Sequence, residues 1–415
     1  MKILYTYIFI SLLFGGVIVH AQNSTSSPYS LYNIGDINPI GSGRSNGLGG
    51  AGIALPSENS LNNVNPASYY TIDSLSFMTD FGLNWKTAHF TSGTQSEYAN
   101  NVGLNSFAIG FRNTRWWKNS LGIAPFSSVG NSLTTQKNVD GSSEYFNALE
   151  QGSGGLTQFY WGNAFRIGSK LSLGVNAAFI FGNIKQTEEI TTSIVSGTLT
   201  TEDNIFLRKL YLNYGFQYTF KLSNQINGTV GGVFGLPCKL NLYHEIISTD
   251  NTNTILQDKT TSESTFTLPK FYGVGLSLKF SDKLLVTSDY RFYNWSQSQS
   301  LQSNVKLVDC QNYILGGEYT PSTSFRDHGL KKVTYRAGGY LNTSYLMVNG
   351  QQLRDRGFSL GMGIPVMQKK LYFNFAFQMG IKDTQENRGI ITENYQSFIL
   401  NISLLDFWFF KPKFD

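Results

Sequence analysis

The stretch Leu371-Tyr372-Phe373-Asn374-Phe375-Ala376-Phe377-Gln378-Met379-Gly380-Ile381 places large apolar side chains at alternate positions, with Tyr, Asn, Ala, Gln and Gly between them. Successive side chains of a β-strand point to opposite faces, so this segment has one greasy face and one small or polar face. The same alternation runs through Tyr272 to Phe280 and through Leu171 to Phe179. Fourteen such segments can be marked, from 75–90 and 104–113 through 118–129 to 370–382 and 394–408. A soluble sandwich also alternates. Two features exclude it. Each apolar face persists for about 10 residues, the length of a membrane-spanning β-strand. The opposite faces are Gly, Ser, Asn and Thr, which suit a wet lumen better than a surface dense in Lys and Glu.

The connections sort by parity. Those after even-numbered segments are mostly tight, as at Ile167 to Ser169 and Leu222 to Asn224. Those after odd-numbered segments are mostly long and polar, as at 130–156, 185–202 and 238–265. Short turns on one side and long loops on the other mark an outer-membrane barrel. The expected fold is therefore an all-β, 14-stranded antiparallel transmembrane barrel over residues 71–415. Trp116, Trp117 and the cluster Phe407 to Phe410 are expected in an aromatic girdle at the periplasmic side.

Composition agrees. The chain has 415 residues, 42 Gly, 31 Phe and 23 Tyr, and only 14% of its residues are charged, against about 25% in an ordinary soluble domain. The net charge of +5 is spread along the chain, which excludes the concentrated basic face of a nucleic-acid binder. Two cysteines, Cys238 and Cys310, rule out a disulfide-stapled fold. Residues 1–21 carry Lys2, an apolar core from Ile8 to Val19 and small residues at Val19 and Ala21. They read as a cleaved secretory signal peptide, which gives an expected location in the cell outer membrane.

Gln22 to Tyr70 lacks the strand pattern. Its centre, Gly41 to Ser68, reads GSGRSNGLGGAGIALPSENSLNNVNPAS, with apolar anchors at Leu48, Ile53, Leu55, Leu61 and Val64. About eight strands fill their own barrel, whereas sixteen or more leave a channel. Fourteen should leave a lumen that needs an occupant, and residues 22–70 are the expected plug. Its small residues Gly47, Gly49, Gly50 and Gly52 allow close backbone packing against a wall.

Here the sequence resembles the FadL/TodX family of outer-membrane transport proteins. The Gly/Ala-rich segment leading into Asn65-Pro66-Ala67 resembles that family's N-terminal hatch before strand one. Leu268-Pro269 opening a strand with Gly273, followed by Asp289-Tyr290 and Asn294-Trp295-Ser296-Gln297, resembles a family strand pair. The resemblance runs from about Ser30 to the C-terminus. It implies a passive channel for hydrophobic small molecules such as long-chain fatty acids, with outer-membrane lipid as a neighbour. It also implies lateral release where the third strand kinks. That strand contains Pro125 and Phe126, and proline cannot donate to a ladder.

Lys279, Asp289 and Arg291 fall on polar faces, as do Arg112 and Arg336. They are read either as charges pairing wall and plug or as holders of a substrate carboxylate. Arg112 and Arg336 lie near periplasmic turns, which favours Asp289 and Arg291 for the second role. Gly47 to Gly52 lacks the βαβ context of a dinucleotide loop, and no cofactor, metal or nucleic acid is expected. His89, His244 and His328 sit in or beside separate loops or turns without nucleophile-elbow or zinc-ligand spacing. The chain is therefore not expected to be an enzyme. A second function remains open: a barrel of this build acting as subunit or docking scaffold for other outer-membrane proteins. The polar character of 130–155 and 238–265 leaves room for it.

Overall fold

The computed structural model describes residues 27–38, 41–73, 76–138, 145–192, 197–252, 254–302, 305–322, 329–367, 370–384 and 390–407. The expected signal segment, His328 and the cluster beyond Phe407 lie outside them. A two-residue strand β1 (Asp36–Ile37) and a short helix (Gly43–Asn46) belong to the N-terminal segment. The strands then run β2 (Ser76–Ser92), β3 (Gln95–Arg112), β4 (Trp117–Asn138), β5 (Tyr145–Ile167) and β6 (Leu171–Thr192). After them come β7 (Gly197–Ser223), β8 (Ile226–Gly235), a hairpin of β9 (Cys238–Thr249) and β10 (Ile255–Leu268), β11 (Phe271–Phe280) and β12 (Leu284–Tyr293). A short β13 (Lys306–Leu307) precedes β14 (Cys310–Tyr319), β15 (Thr334–Val348), β16 (Gln351–Val366), β17 (Leu371–Asp383) and β18 (Thr392–Phe407).

All pairings are antiparallel. β18 pairs with β2 from Phe407↔Ser76 to Thr392↔Thr91, which closes the sheet on itself. β8 pairs directly with β11, and β12 with β14, so β9, β10, β1 and β13 lie outside the ring. The protein is a closed 14-stranded antiparallel β-barrel, with the wall strands where the alternation placed them. The alternation also sets the two faces. Phe375 and Ile381 are exposed while Tyr372, Asn374, Ala376 and Gly380 are buried, so the greasy face points outward and the small or polar face inward. Trp116 and Trp117 stack with each other and with Phe165 beside the turn after β3.

The long polar loops are not loops. Residues 130–138 and 145–156 continue the β4–β5 ladder to Asn138↔Tyr145, and 185–192 and 197–202 continue β6–β7 to Thr192↔Gly197. Residues 238–265 form the β9–β10 hairpin, whose first strand pairs with the top of β7 from Leu207↔Leu242 to Thr200↔Thr249. An apolar outer face identifies only the lipid-embedded part of a strand. Above it both faces meet water, so a continuing strand looks like a polar loop. β4 to β7 hold 22, 23, 22 and 27 residues, at least twice the about 9–11 needed to span.

The N-terminal segment lies against the inner face. Leu48, Ala51, Ile53, Ala54, Leu55 and Leu61 are all buried. Its backbone comes so close to the wall that a Cβ on Gly338 would lie 2.3 Å from the Leu48 carbonyl carbon, and one on Gly174 2.3 Å from Ala67 N. Both obstacles are backbone and cannot swing aside. Gly174→Val and Gly338→Val are expected to cost about 1–3 kcal/mol through overpacking. The barrel should still form, as heat-modifiable gel mobility would show, but protease cleavage within 41–68 should rise. Gly103→Val, where an added Cβ meets nothing within 4 Å, should leave the cleavage rate unchanged.

Candidate functional site

The wall is interrupted beside Pro125. β3 and β4 pair from Arg112↔Lys118 to Phe107↔Ile123 and no further. Residues 95–106 of β3 and 124–138 of β4 continue as strands without pairing to each other. On its other side β4 remains on β5, with a bulge that skips Phe126 between Pro125↔Thr157 and Ser127↔Leu156. Proline supplies no N–H, which explains why the ladder fails at this point. The released edge of β4 is taken by the N-terminal segment: Asp36↔Ser128 and Ile37↔Ser127 pair, and Asn38 N donates to Phe126 O at 3.0 Å. Ser27 N donates to Gly130 O at 3.2 Å. The Phe126 side chain packs on the apolar cluster inside the outer half of the barrel.

That cluster joins Tyr29 and Ile34 to Val129, Leu156, Ile180 and Ile184 on the wall and to Leu240, Leu242, Phe266 and Leu268 on the hairpin. The polar stretch 238–265 therefore hides an apolar inner face in its alternate positions. Deeper in, a polar hollow is lined by Asn63, Gln158, Tyr160, Asn176 and Asn213.

Below the interruption, charged side chains hold the segment by its backbone. Asp289 accepts from Gly52 N at 2.8 Å and Ile53 N at 3.0 Å. Arg291 donates to Gly50 O at 2.7 Å and pairs with Asp289 at 3.2 Å. Lys279 reaches Glu58 at 3.5 Å near the β11–β12 turn. The three charges thus grip the N-terminal segment. Gly49 and Gly50 have φ of +73° and +94°, a left-handed turn that side-chain-bearing residues disfavour. Gly49 N donates to Ser359 Oγ at 2.8 Å. Gly47 sits over Arg336 and Gly361.

Asn65 caps the turn containing Pro66 and Ala67: its Oδ1 accepts from Ala67 N, and its Nδ2 donates to Ile53 O at 2.7 Å and Phe216 O at 3.0 Å. Ser172 Oγ donates to Ala67 O at 2.8 Å.

The strongest anchor was not singled out from sequence. Arg44 makes a two-pronged pair with Glu318, Nε to Oε2 at 2.9 Å and Nη2 to Oε1 at 2.8 Å. Arg336 donates to the same Oε2 at 2.8 Å and to Asn374 Oδ1 at 2.9 Å. Burial alone would lower the Arg44 pKa, but Glu318 and Glu58 beside it hold it above its ordinary value. Arg336, set aside for its place near a turn, is buried at this junction. The available signal was that Arg44 is the single charge in 41–57, and a charge inside a barrel needs a partner. Asp80 similarly accepts from Leu61 N. Nearer the outside, Glu393 accepts from Ser27 Oγ at 2.8 Å and pairs with Lys86 at 2.6 Å, while Lys382 bridges Asp36 at 3.1 Å and Glu393 at 3.7 Å.

His244 has close partners. Its Nδ1 lies 2.9 Å from Asp203 Oδ2 and its Nε2 2.7 Å from Ser264 Oγ. Ser264 sits mid-strand in an unbroken stretch of the β9–β10 ladder, without the sharp strand-to-helix turn that exposes a nucleophile. The trio is a cross-strand polar chain. Cys238 and Cys310 are both free.

The fold defines a FadL-type barrel. A FadL homologue from Pseudomonas aeruginosa superposes with a TM-score of 0.61 at 10% identity, over 90% of this chain and all (100%) of that one. The Pseudomonas putida toluene transporter TodX gives 0.59 at 12%, over 90% and 100%. The Ralstonia pickettii toluene transporter TbuX gives 0.56 at 14%, over 88% and 99%. At these identities the likeness is one of fold. No curated protein sequence matches the chain. By sequence, residues 2–415 match the BamG family model, and the chain belongs to the BamG family. The expected FadL/TodX resemblance thus holds for architecture, while the sequence family is BamG.

The Arg44–Glu318–Arg336 junction yields a graded expectation. Glu318→Gln strands two buried guanidinium groups and should cost about 3–5 kcal/mol. Lys279→Gln removes a partly exposed pair worth about 0–1 kcal/mol. In heat-modifiability melts the first variant should convert at clearly lower temperature and the second near wild type.

Proposed function

We propose that this protein is an outer-membrane channel through which small hydrophobic molecules pass from the outer half of the lumen sideways into the bilayer. The observation that carries the reading is the interruption between β3 and β4, whose free edge is covered by β1 rather than by a wall strand. In this reading residues 22–70 are a plug with two parts. Gly41 to Ser68 stays seated, because releasing it would separate buried charges. Ser27 to Asn38 is the movable part. Its backbone bonds to β4 contribute about 0.5–1.5 kcal/mol each, and a ligand's binding energy must offset these together with the Ser27–Glu393 and Asp36–Lys382 contacts. The apolar cluster of Tyr29, Ile34, Leu156 and Phe266 then offers the surface that a hydrophobic molecule would occupy in their place. Pro125 and Phe126 form the lip of the exit. The fold's occurrence in toluene transporters supports this reading; fatty acids are one candidate cargo. Asp289 and Arg291, occupied by plug backbone, act here as plug anchors.

A second reading is favoured by the family itself. Membership in BamG fits a role alongside protein partners in the outer membrane. The tall wall of β4 to β7, projecting well past the length a membrane needs, gives such a partner a rigid surface.

Cysteines at Ile37 and Ser127, which face each other across β1 and β4, would lock the edge when oxidised. Uptake of a radiolabelled hydrophobic compound should fall at least tenfold in the oxidised Ile37→Cys/Ser127→Cys variant and recover on reduction. Uptake indifferent to the lock would remove the channel reading. Purification of the wild type in mild detergent then separates the two. Stoichiometric large partners would favour the partner role, and a lone barrel with bound apolar compound the channel.

A further inference from the structure

Among the described residues, three outward cations stand without an ion-pair partner where β7 meets the β9–β10 hairpin. On the outer face of β7, Tyr218, Phe216, Leu212 and Leu210 are exposed, and Arg208 follows. From Tyr218 to Arg208 the strand advances ten residues, which at the usual rise and tilt is about 25 Å, the height of a barrel's apolar band. Arg208 therefore sits at the outer edge of the hydrocarbon layer. Its ladder neighbour on β6 is Phe181, the last exposed aromatic on that strand.

The foot of the hairpin brings two more cations to the wall just below Arg208. The Cys238 thiol lies 3.8 Å from Leu210 O, which sets Lys239 beside Leu210. Lys239 is exposed and opposed by Thr267 across the hairpin, and exposed Lys270 follows at the base of β10. Neighbouring strands lie about 4.8 Å apart, so the three spread roughly 10 Å across the wall, with Lys270, level with Leu236 and Leu212 in the ladders, about 13 Å lower along the strands than Arg208. By contrast, outward Lys185 pairs with Glu202 at 2.6 Å and outward Arg356 with Asp383 at 2.9 Å. The nearest acids on the same face of the hairpin stand further out: Glu263 is opposite Tyr243, four residues above the Lys239–Thr267 pair, and Glu245 lies beyond it. Asn241, Thr265 and Tyr243 add hydrogen-bonding groups beside the cations, and Phe181, Leu210 and Leu236 supply apolar wall between them.

We infer that Arg208, Lys239 and Lys270 form a site for a phosphate-bearing glycolipid of the outer leaflet. Its phosphates would meet the cations and its acyl chains lie on the wall beneath. Charge complementarity selects this occupant: each cation near an anionic head group contributes on the order of 1 kcal/mol, and the polar residues suit a sugar better than a simple phospholipid head. The site depends on the barrel fold and not on transport or on a protein partner.

The test is native mass spectrometry of the purified barrel with lipid A carrying its phosphates and with the same lipid stripped of them. Wild type should retain the phosphorylated form and release the other. Arg208→Gln/Lys239→Gln/Lys270→Gln should weaken retention at least tenfold, with heat-modifiable mobility verifying its fold. Arg208→Lys should keep most of it, and Lys185→Gln/Arg356→Gln should bind as wild type does. Equal retention of both lipids, equal retention by the triple variant, or no retention by wild type would each overturn the assignment.

Discussion

In hydrocarbon, no backbone N–H or C=O is left without a partner at acceptable cost, and a sheet spanning it must close on itself. The β18–β2 ladder meets that demand along nearly the whole of both strands. β3 and β4 do so only as far as Phe107 and Ile123, although both continue beyond. Pro125 marks where that ladder stops, and the N-terminal segment takes part of the released β4 edge from inside with Asp36, Ile37 and Asn38. The wall and its filling are therefore parts of one hydrogen-bonded system, because the segment completes a ladder as well as filling space.

The rest of the filling obeys the interior's electrostatics. A charge withdrawn from water must be paired and hydrogen-bonded. Glu318 receives two guanidinium groups, one from the segment and one from the wall. Asp289 receives two backbone N–H groups of the segment together with Arg291. Such pairs add little net stability over a well-packed apolar contact, but breaking one is expensive. They fix where the segment sits more than how tightly the protein folds. The small inward faces of Gly174 and Gly338 serve the same end by letting backbone meet backbone.

The strand count and the two faces could be read from sequence because a lipid-facing strand must alternate over its whole buried length, as Leu371 to Ile381 does. The heights of the strands could not. Above the lipid, Gln151 or Thr187 satisfies a wet strand as well as a loop, so the β4–β7 extensions and the hairpin carried no distinguishing pattern. Asn65, Pro66 and the glycines were visible because turn geometry restricts residue type. Arg44 with Glu318 was not, since their meeting depends on a register 274 residues apart in sequence. The apolar inner face of the hairpin, Leu240, Leu242 and Phe266 among polar neighbours, shows the same limit: an alternating pattern gives two faces but not what each one meets.

What distinguishes a channel from a partner subunit in such a barrel is which part of the filling is free to move. Gly41 to Ser68 is tied by buried charges at Glu318 and Asp289 and by the capped turn at Asn65, so a path straight through the barrel would require several costly separations. Ser27 to Asn38 meets β4 through ordinary backbone bonds, and its side-chain ties are fewer: Ser27 to the buried Glu393 and Asp36 to Lys382. In the proposed channel, passage would run through the outer half and out between β3 and β4, with the inner half closed. A partner bound to the tall β4–β7 wall would act on the same element, because the upper part of β4 is both the side of that wall and the edge that β1 covers. Transport and partnership thus converge on one strand, and a partner that holds β4 in place would set whether the edge can open.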